Sequence, residues 1–200
     1  MVPVITTERA CLGVAYSSLG IALYLTTRHD ERTRLAASAF LSTLWLGFVL
    51  AISLTEAWIK FRAPFLARHL GLDVGRHVFG ALNAVEIGLA LGLWLLQSDM
   101  WWDASTPLPL VLNTAILGTQ TAYLYPTLVL SGEFAISEAL NSTPERSLPP
   151  RQKAELFKIQ KSVGQNKRPS KRLHVVYVAA ELLKAALLAR LAFEQLRQLV

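Results

Sequence analysis

The chain is poor in charge and nearly free of cysteine. Its one cysteine, Cys11, excludes a disulfide within the chain, and there is no CxxC pair. There is no Cys/His cluster, no HExxH or ExxH spacing and no glycine-rich phosphate loop. The common sequence marks of a metal centre or a nucleotide cradle are therefore missing. Only 17% of the 200 residues are charged, against about a quarter in ordinary soluble domains. The N-terminus lacks a basic n-region, so no cleavable signal peptide is expected.

Apolar residues are what the chain has in excess. They make up 52% of it, and the mean hydropathy is +0.37. They come in long blocks with the charges between them. A helix needs about 20 apolar residues to cross a hydrocarbon core of roughly 30 Å. Five stretches meet or approach that length: 10–27, 35–55, 78–97, 107–130 and 173–189. The pattern predicts an all-α, polytopic transmembrane bundle of about five helices, or four if the first, weakest stretch lies at the interface. Residues 1–130 then hold helices one to four, 131–172 form a basic loop, and 173–200 hold helix five and a tail.

Local punctuation agrees with these limits. Pro107 and Pro109 suit the first turn of helix four, and Pro126 lies where that helix can bend or stop. Trp58, Trp101 and Trp102 fall at segment edges, as aromatic belts do. Trp45 and Trp94 fall inside and are read as packing or lipid-facing.

The net charge of +6 is assigned to orientation and anionic lipid, not to nucleic acid. With five spans, 14 Lys and Arg residues fall on the side of the N-terminus and only 5 on the other. That places the N-terminus inside and the C-terminus outside, in an organellar inner membrane or a bacterial plasma membrane. In the 131–172 loop, residues 151–163 read as an amphipathic helix, with Leu156, Ile159 and Val163 opposite Lys153, Lys158 and Lys161. It is expected either on the membrane surface or as a solvated linker. Lys167, Arg168, Lys171 and Arg172 then form a juxtamembrane basic cluster, a topology anchor or a headgroup-binding patch.

Charges inside a hydrocarbon core cost about 2.5–3.5 kcal/mol each on insertion scales, so polar residues within the apolar blocks are informative. Arg76, Gly80, Asn83 and Glu86 share one face of helix three. Ala84, Gly88 and Gly92 form a separate small-residue stripe for close packing, which with helix one offers surface to partner chains. His174, Tyr177, Glu181 and Lys184 share a face of helix five. Asn113, Gln120, Tyr123 and Thr127 do so on helix four, and Ser42, Trp45 and Glu56 on helix two. Glu86 lies ten residues in from Arg76, and Lys184 ten in from His174. At 1.5 Å per residue the two reach equal depth, so they are expected to meet directly or through Glu181.

Three readings of this seam stand open. It can be structural glue, in a subunit of a larger respiratory or photosynthetic type of membrane complex. It can be a path or sensor for a proton or small solute. It can be a metal or redox site using His77, His174, Glu56, Glu86 and Glu181. His77 lies nine residues before Glu86 and points to the opposite side of its helix, which weakens the third reading. No catalytic residue, metal ligand or cofactor is assigned. The expected partners are the bilayer, its anionic lipids and other membrane chains.

The run GRHVFGALN at 75–83 is similar to the RHxFGxxQ segment of the transmembrane protein 205-like family. WLGFVLAIS at 45–53 resembles the family's Trp-rich first helix. AYLYPT at 122–127 is similar to its aromatic-Leu-x-Pro-x-Thr helix end. Leu173-His174 resembles the opening of its last helix. The resemblance covers about residues 40 to 193 and implies a polytopic α-helical membrane protein without an agreed activity. Helix one is additional to the family's four.

Overall fold

The computed structural model describes residues 6–98, 108–141, 148–170 and 172–200. Among these residues it is all-helical. Trp101, Trp102, Pro107, Pro144, Arg146 and Lys171 lie outside the described residues.

Six helices follow one another among the described residues. Helix α1, Thr7–Thr27, starts at Thr6, whose hydroxyl accepts from the Arg9 N–H. Helix α2 starts after Asp30, whose carboxylate accepts from the Arg32 and Thr33 N–H groups. It runs over Glu31–Phe48, widens to π turns over Val49–Glu56, and tightens through Ala57–Ile59 and Lys60–Arg62. It stops where Ala63 turns extended, as a residue before proline does. Helix α3 spans Arg68–Leu96. Helix α4 runs over Leu108–Thr119, a π turn at Gln120–Leu124, and Tyr125–Leu140. Helix α5, Pro150–Gln165, has proline at its first position, and α6 spans Arg172–Leu199.

Two sequence expectations change here. Pro126 does not end helix four. Pro126 has no N–H to donate, and the π turn just before it is the kind of local adjustment that accommodates the loss, so the helix continues to Leu140. Helix five likewise runs past Ala189 to Leu199. Among the described residues, three helical stretches, at 7–27, 31–62 and 68–96, are long and apolar enough to cross a membrane.

The contacts fix how the rods stand. Gln97 meets Ser38, Glu86 meets Trp45, and Gly75 lies by Lys60, so α2 and α3 are antiparallel. Arg9 reaches Arg76, Gly13 lies by Ala84 and Gly88, and Gly20 by Gly92, so α1 runs parallel to α3. Phe79 meets Tyr177 and Glu86 meets Lys184, so α6 is parallel to α3 as well. The bundle therefore has an Arg76 end and a Gln97 end.

The small-residue stripe of α3 is where α1 packs. A Cβ on Gly92 would come within 2.8 Å of Gly20 Cα, and one on Gly88 within 2.8 Å of Tyr16 Cβ. The two backbones touch, so glycine is needed on both sides. A leucine-rich core fills the middle of the bundle, with Leu41 and Trp45 of α2, Leu89 and Leu93 of α3, Leu117 of α4, and Leu188 and Leu191 of α6.

Helix α5 covers its apolar face with protein. Leu156 and Ile159 are buried as α5 packs on the second half of α4, where Ser162 donates to Glu133 at 2.6 Å. That face is covered by protein, which differs from both the surface-lying helix and the solvated linker expected. The extension of α4 beyond Leu130 supplies the wall it packs on.

Candidate functional site

Three helices bring one side chain each to the centre of the bundle, and α6 brings two. Lys184 Nζ lies 2.7 Å from Glu86 Oε1, 3.0 Å from Glu181 Oε1 and 2.8 Å from Gln120 Oε1. An ammonium has three donors and no acceptor, so all three of its N–H groups are used. The Gln120 oxygen faces Lys184 for the same reason, and its Nε2 donates to Glu181 Oε1 at 2.7 Å. Trp45 Nε1 donates to Glu86 Oε1 at 2.8 Å. Glu86, Lys184, Gln120 and Trp45 are 0% exposed and Glu181 is 1%.

The cluster is unbalanced in two ways. Two carboxyl groups face one ammonium. Each carboxyl also uses a single oxygen: Glu86 Oε2 and Glu181 Oε2 have no partner. The Tyr177 hydroxyl and both polar atoms of the Asn83 side chain, all buried, have none either. Asn83 stands one turn from Glu86, and Tyr177 one turn from Glu181, both toward the Arg76 end. Buried polar atoms without partners are uncommon, and these neighbour one another.

Two predicted seam residues lie elsewhere. Tyr123 is 61% exposed. The π turn at Gln120–Leu124 advances fewer degrees per residue than an α-helix, so Leu124 and Tyr125 turn inward in its place. His174 is exposed, because it sits in the first turn of α6. Neither reaches Glu181, and among the described residues no three His, Cys, Asp or Glu side chains converge as a metal site. Of the basic cluster, Arg168 is bound by Glu138 at 2.6 Å, while Lys167 and Arg172 are exposed.

At the Arg76 end, the Arg76 guanidinium meets Asp73 at 2.7 Å, Glu155 at 2.9 Å and Glu133 at 3.8 Å. Burial pushes the Glu155 carboxyl up, but Arg76 and Lys158 outweigh it and hold the group below its ordinary value. This ion pair ties α5 to α3. Tyr125 donates to the Arg76 carbonyl at 2.8 Å, and the Arg9 guanidinium lies over its ring against Gly80.

Sequence reasoning missed two features. Trp45 proves to be a polar partner as well as a packing residue. A second polar knot, at the Gln97 end, was not anticipated as a unit. There Gln97 and Gln195 donate to Ser38 Oγ at 3.0 and 2.6 Å, and Ser42 donates to Gln195 Oε1 at 2.9 Å. The signal was present: Ser38 and Ser42 are one turn apart, and Gln195 is three turns beyond Lys184.

No family model matches the chain, and neither a curated protein nor a solved structure matches it.

Proposed function

We propose that this chain is a non-enzymatic, polytopic membrane protein whose Glu86–Lys184–Glu181 triad holds one exchangeable proton. In this reading α1 to α4 and α6 cross the bilayer, with the Arg76 end inside, as the count of basic residues favours. The resemblance to the transmembrane protein 205-like family belongs to the same proposal.

One observation carries it: the polarity of α6 is inverted. Its outward face presents Leu182 and Leu183, 53% and 54% exposed, while Glu181 and Lys184 beside them are buried. Water favours the opposite arrangement, and hydrocarbon favours this one. Inside such a solvent an uncompensated charge is costly. Two carboxylates against one ammonium leave one negative charge, and a proton on either acid removes it. The two free carboxylate oxygens are where that proton can sit. The scaffolding alternative keeps only half of its motive: α1 covers the Ala84/Gly88/Gly92 stripe, while Val14, Ile21 and Leu25 of α1 itself stay exposed.

Infrared difference spectroscopy on the protein in lipid tests the triad. A protonated carboxylic acid C=O band is expected near neutral pH. It should vanish or move in Glu86→Gln or Glu181→Gln. Absence of that band in the wild type refutes the reading. Release of the chain from membranes by an alkaline carbonate wash refutes the membrane assignment.

A further inference from the structure

We infer that the triad exchanges its proton with the Arg76 end alone, through Asn83 and Tyr177, while a leucine layer seals the Gln97 end. This sidedness rests on the proton-holding reading above and goes beyond it.

The two directions out of the triad differ in kind. Toward the Gln97 end the next buried side chains are Leu89 and Leu93 of α3, Leu117 of α4, and Leu188 and Leu191 of α6, none more than 4% exposed. The polar members of this layer are Ser42, whose hydroxyl is bound to the Ser38 carbonyl and Gln195 Oε1 at 2.9 Å each, and Asn113, whose amide N–H is bound to the Pro109 carbonyl of its own helix at 2.8 Å. The Asn113 Oδ1 is open, but seven residues, roughly 10 Å of helix, separate it from Gln120. Beyond these leucines lie Ser38, Gln97 and Gln195, whose knot reaches into the layer through Ser42 alone.

Toward the Arg76 end the next level is polar and unpaired. Asn83 is 4% exposed and Tyr177 2%, and neither side chain has a hydrogen-bond partner for its polar atoms. They stand about 4.5 Å and 6 Å from Glu86 and Glu181 along the helix axes. An amide and a phenol can each donate and accept, as a relay requires. Beyond them come the Tyr125 hydroxyl and the Arg9 guanidinium over Gly80, and then Arg76 with the half-exposed Asp73. The charged and titratable groups on this side are thus Tyr177, Tyr125, Arg9 and Arg76, with Glu133 beside Arg76 and the Lys60–Glu56 pair against Phe79. Gly80 leaves the space that Arg9 and Tyr125 occupy; any side chain there would collide with both. The unpartnered groups bridge the triad and the solvated end, whereas the leucines interrupt the other route.

The experiment follows hydrogen–deuterium exchange of the triad's carboxylic acid band in the full-length protein in lipid nanodiscs. Asn83→Leu and Tyr177→Phe should each slow exchange by about a hundredfold, the lower end of what a positioned proton-transfer group contributes. Neither should abolish the band, since both acids remain. In a Cys11→Ser background, Tyr177→Cys in vesicles should react with a membrane-impermeant thiol reagent applied to the Arg76 side, and Leu188→Cys with reagent on neither side. If Asn83→Leu does not fold, Tyr177→Phe and the labelling decide. Unchanged exchange in Tyr177→Phe, or labelling of Leu188→Cys from the Gln97 side, overturns the sidedness while leaving the triad intact. Absence of the band in the wild type overturns both readings.

Discussion

Replacing Lys184 by methionine keeps much of the side chain's length and removes its charge. The structure sets the size of the effect. Lys184 Nζ is the shared partner of Glu86, Glu181 and Gln120, at 2.7, 3.0 and 2.8 Å, with no exposed surface. The Lys184→Met variant would leave two buried acids without their cation, each keeping one neutral N–H donor, and the Gln120 oxygen without its donor. Breaking a buried ion pair from one side costs about 3–5 kcal/mol, because the remaining charge has no compensation. A marginally stable bundle has roughly 5–15 kcal/mol in all, so the loss is a large share of it. The cost also depends on pH in a defined direction. Protonation removes the stranded negative charges, so the deficit of Lys184→Met should shrink as pH falls. The triple variant Lys184→Met/Glu86→Gln/Glu181→Gln, with no charge left to strand, should recover most of the loss at neutral pH. The assay is reversible unfolding in a mild detergent, followed by circular dichroism or proteolysis across pH. Wild-type stability of Lys184→Met at neutral pH, or a deficit that grows on acidification, refutes the pairing argument.

Other outcomes follow from single contacts. Gly20→Ala places a Cβ on Gly92 Cα, so α1 should be pushed off α3 at a cost of about 1–3 kcal/mol, read by thermal unfolding. Gly47→Ala, with nothing near its Cβ, should be neutral or stabilising by up to about 1 kcal/mol in the same thermal assay. Trp45→Phe keeps an aromatic ring but loses the donor to Glu86, and should cost about 1–3 kcal/mol by denaturant unfolding. The tie between α5 and α3 should depend on pH through Glu155. Its folded-state pKa is depressed, so its contribution is complete above the ordinary glutamate value and is lost as pH falls through the lowered one. Limited proteolysis of α5 should rise on acidification in the wild type, and be higher with a flatter profile in Glu155→Gln.

Much of the centre was legible before any tertiary contact was known. Arg76, Asn83 and Glu86 lie on one helical face, and Tyr177, Glu181 and Lys184 on another. Helical period gives azimuth, and rise per residue gives depth. Those two quantities suffice to match Glu86 with Lys184. They could not exclude Tyr123, because a π turn shifts every residue after it by an amount no α-helical count contains. They could not show that α4 runs on to Leu140, since Pro126 in a regular α-helix argues for a stop.

Local quantities belong to the sequence alone: the approximate places of six helical segments, which residues share a face, how deep each lies, and that charges sit among apolar residues. These depend on a residue's near neighbours and on transfer free energy. Tertiary packing decided what meets what. It set α1 on the Gly88/Gly92 stripe, turned Trp45 toward Glu86, and covered Leu156 and Ile159 with α4. It also left Asn83 and Tyr177 buried with open hydrogen-bonding capacity beside two half-used carboxyl groups. The physical reason is that a helix's apolar or small-residue face states only that something must cover it. Which helix does so depends on the simultaneous packing of all the others.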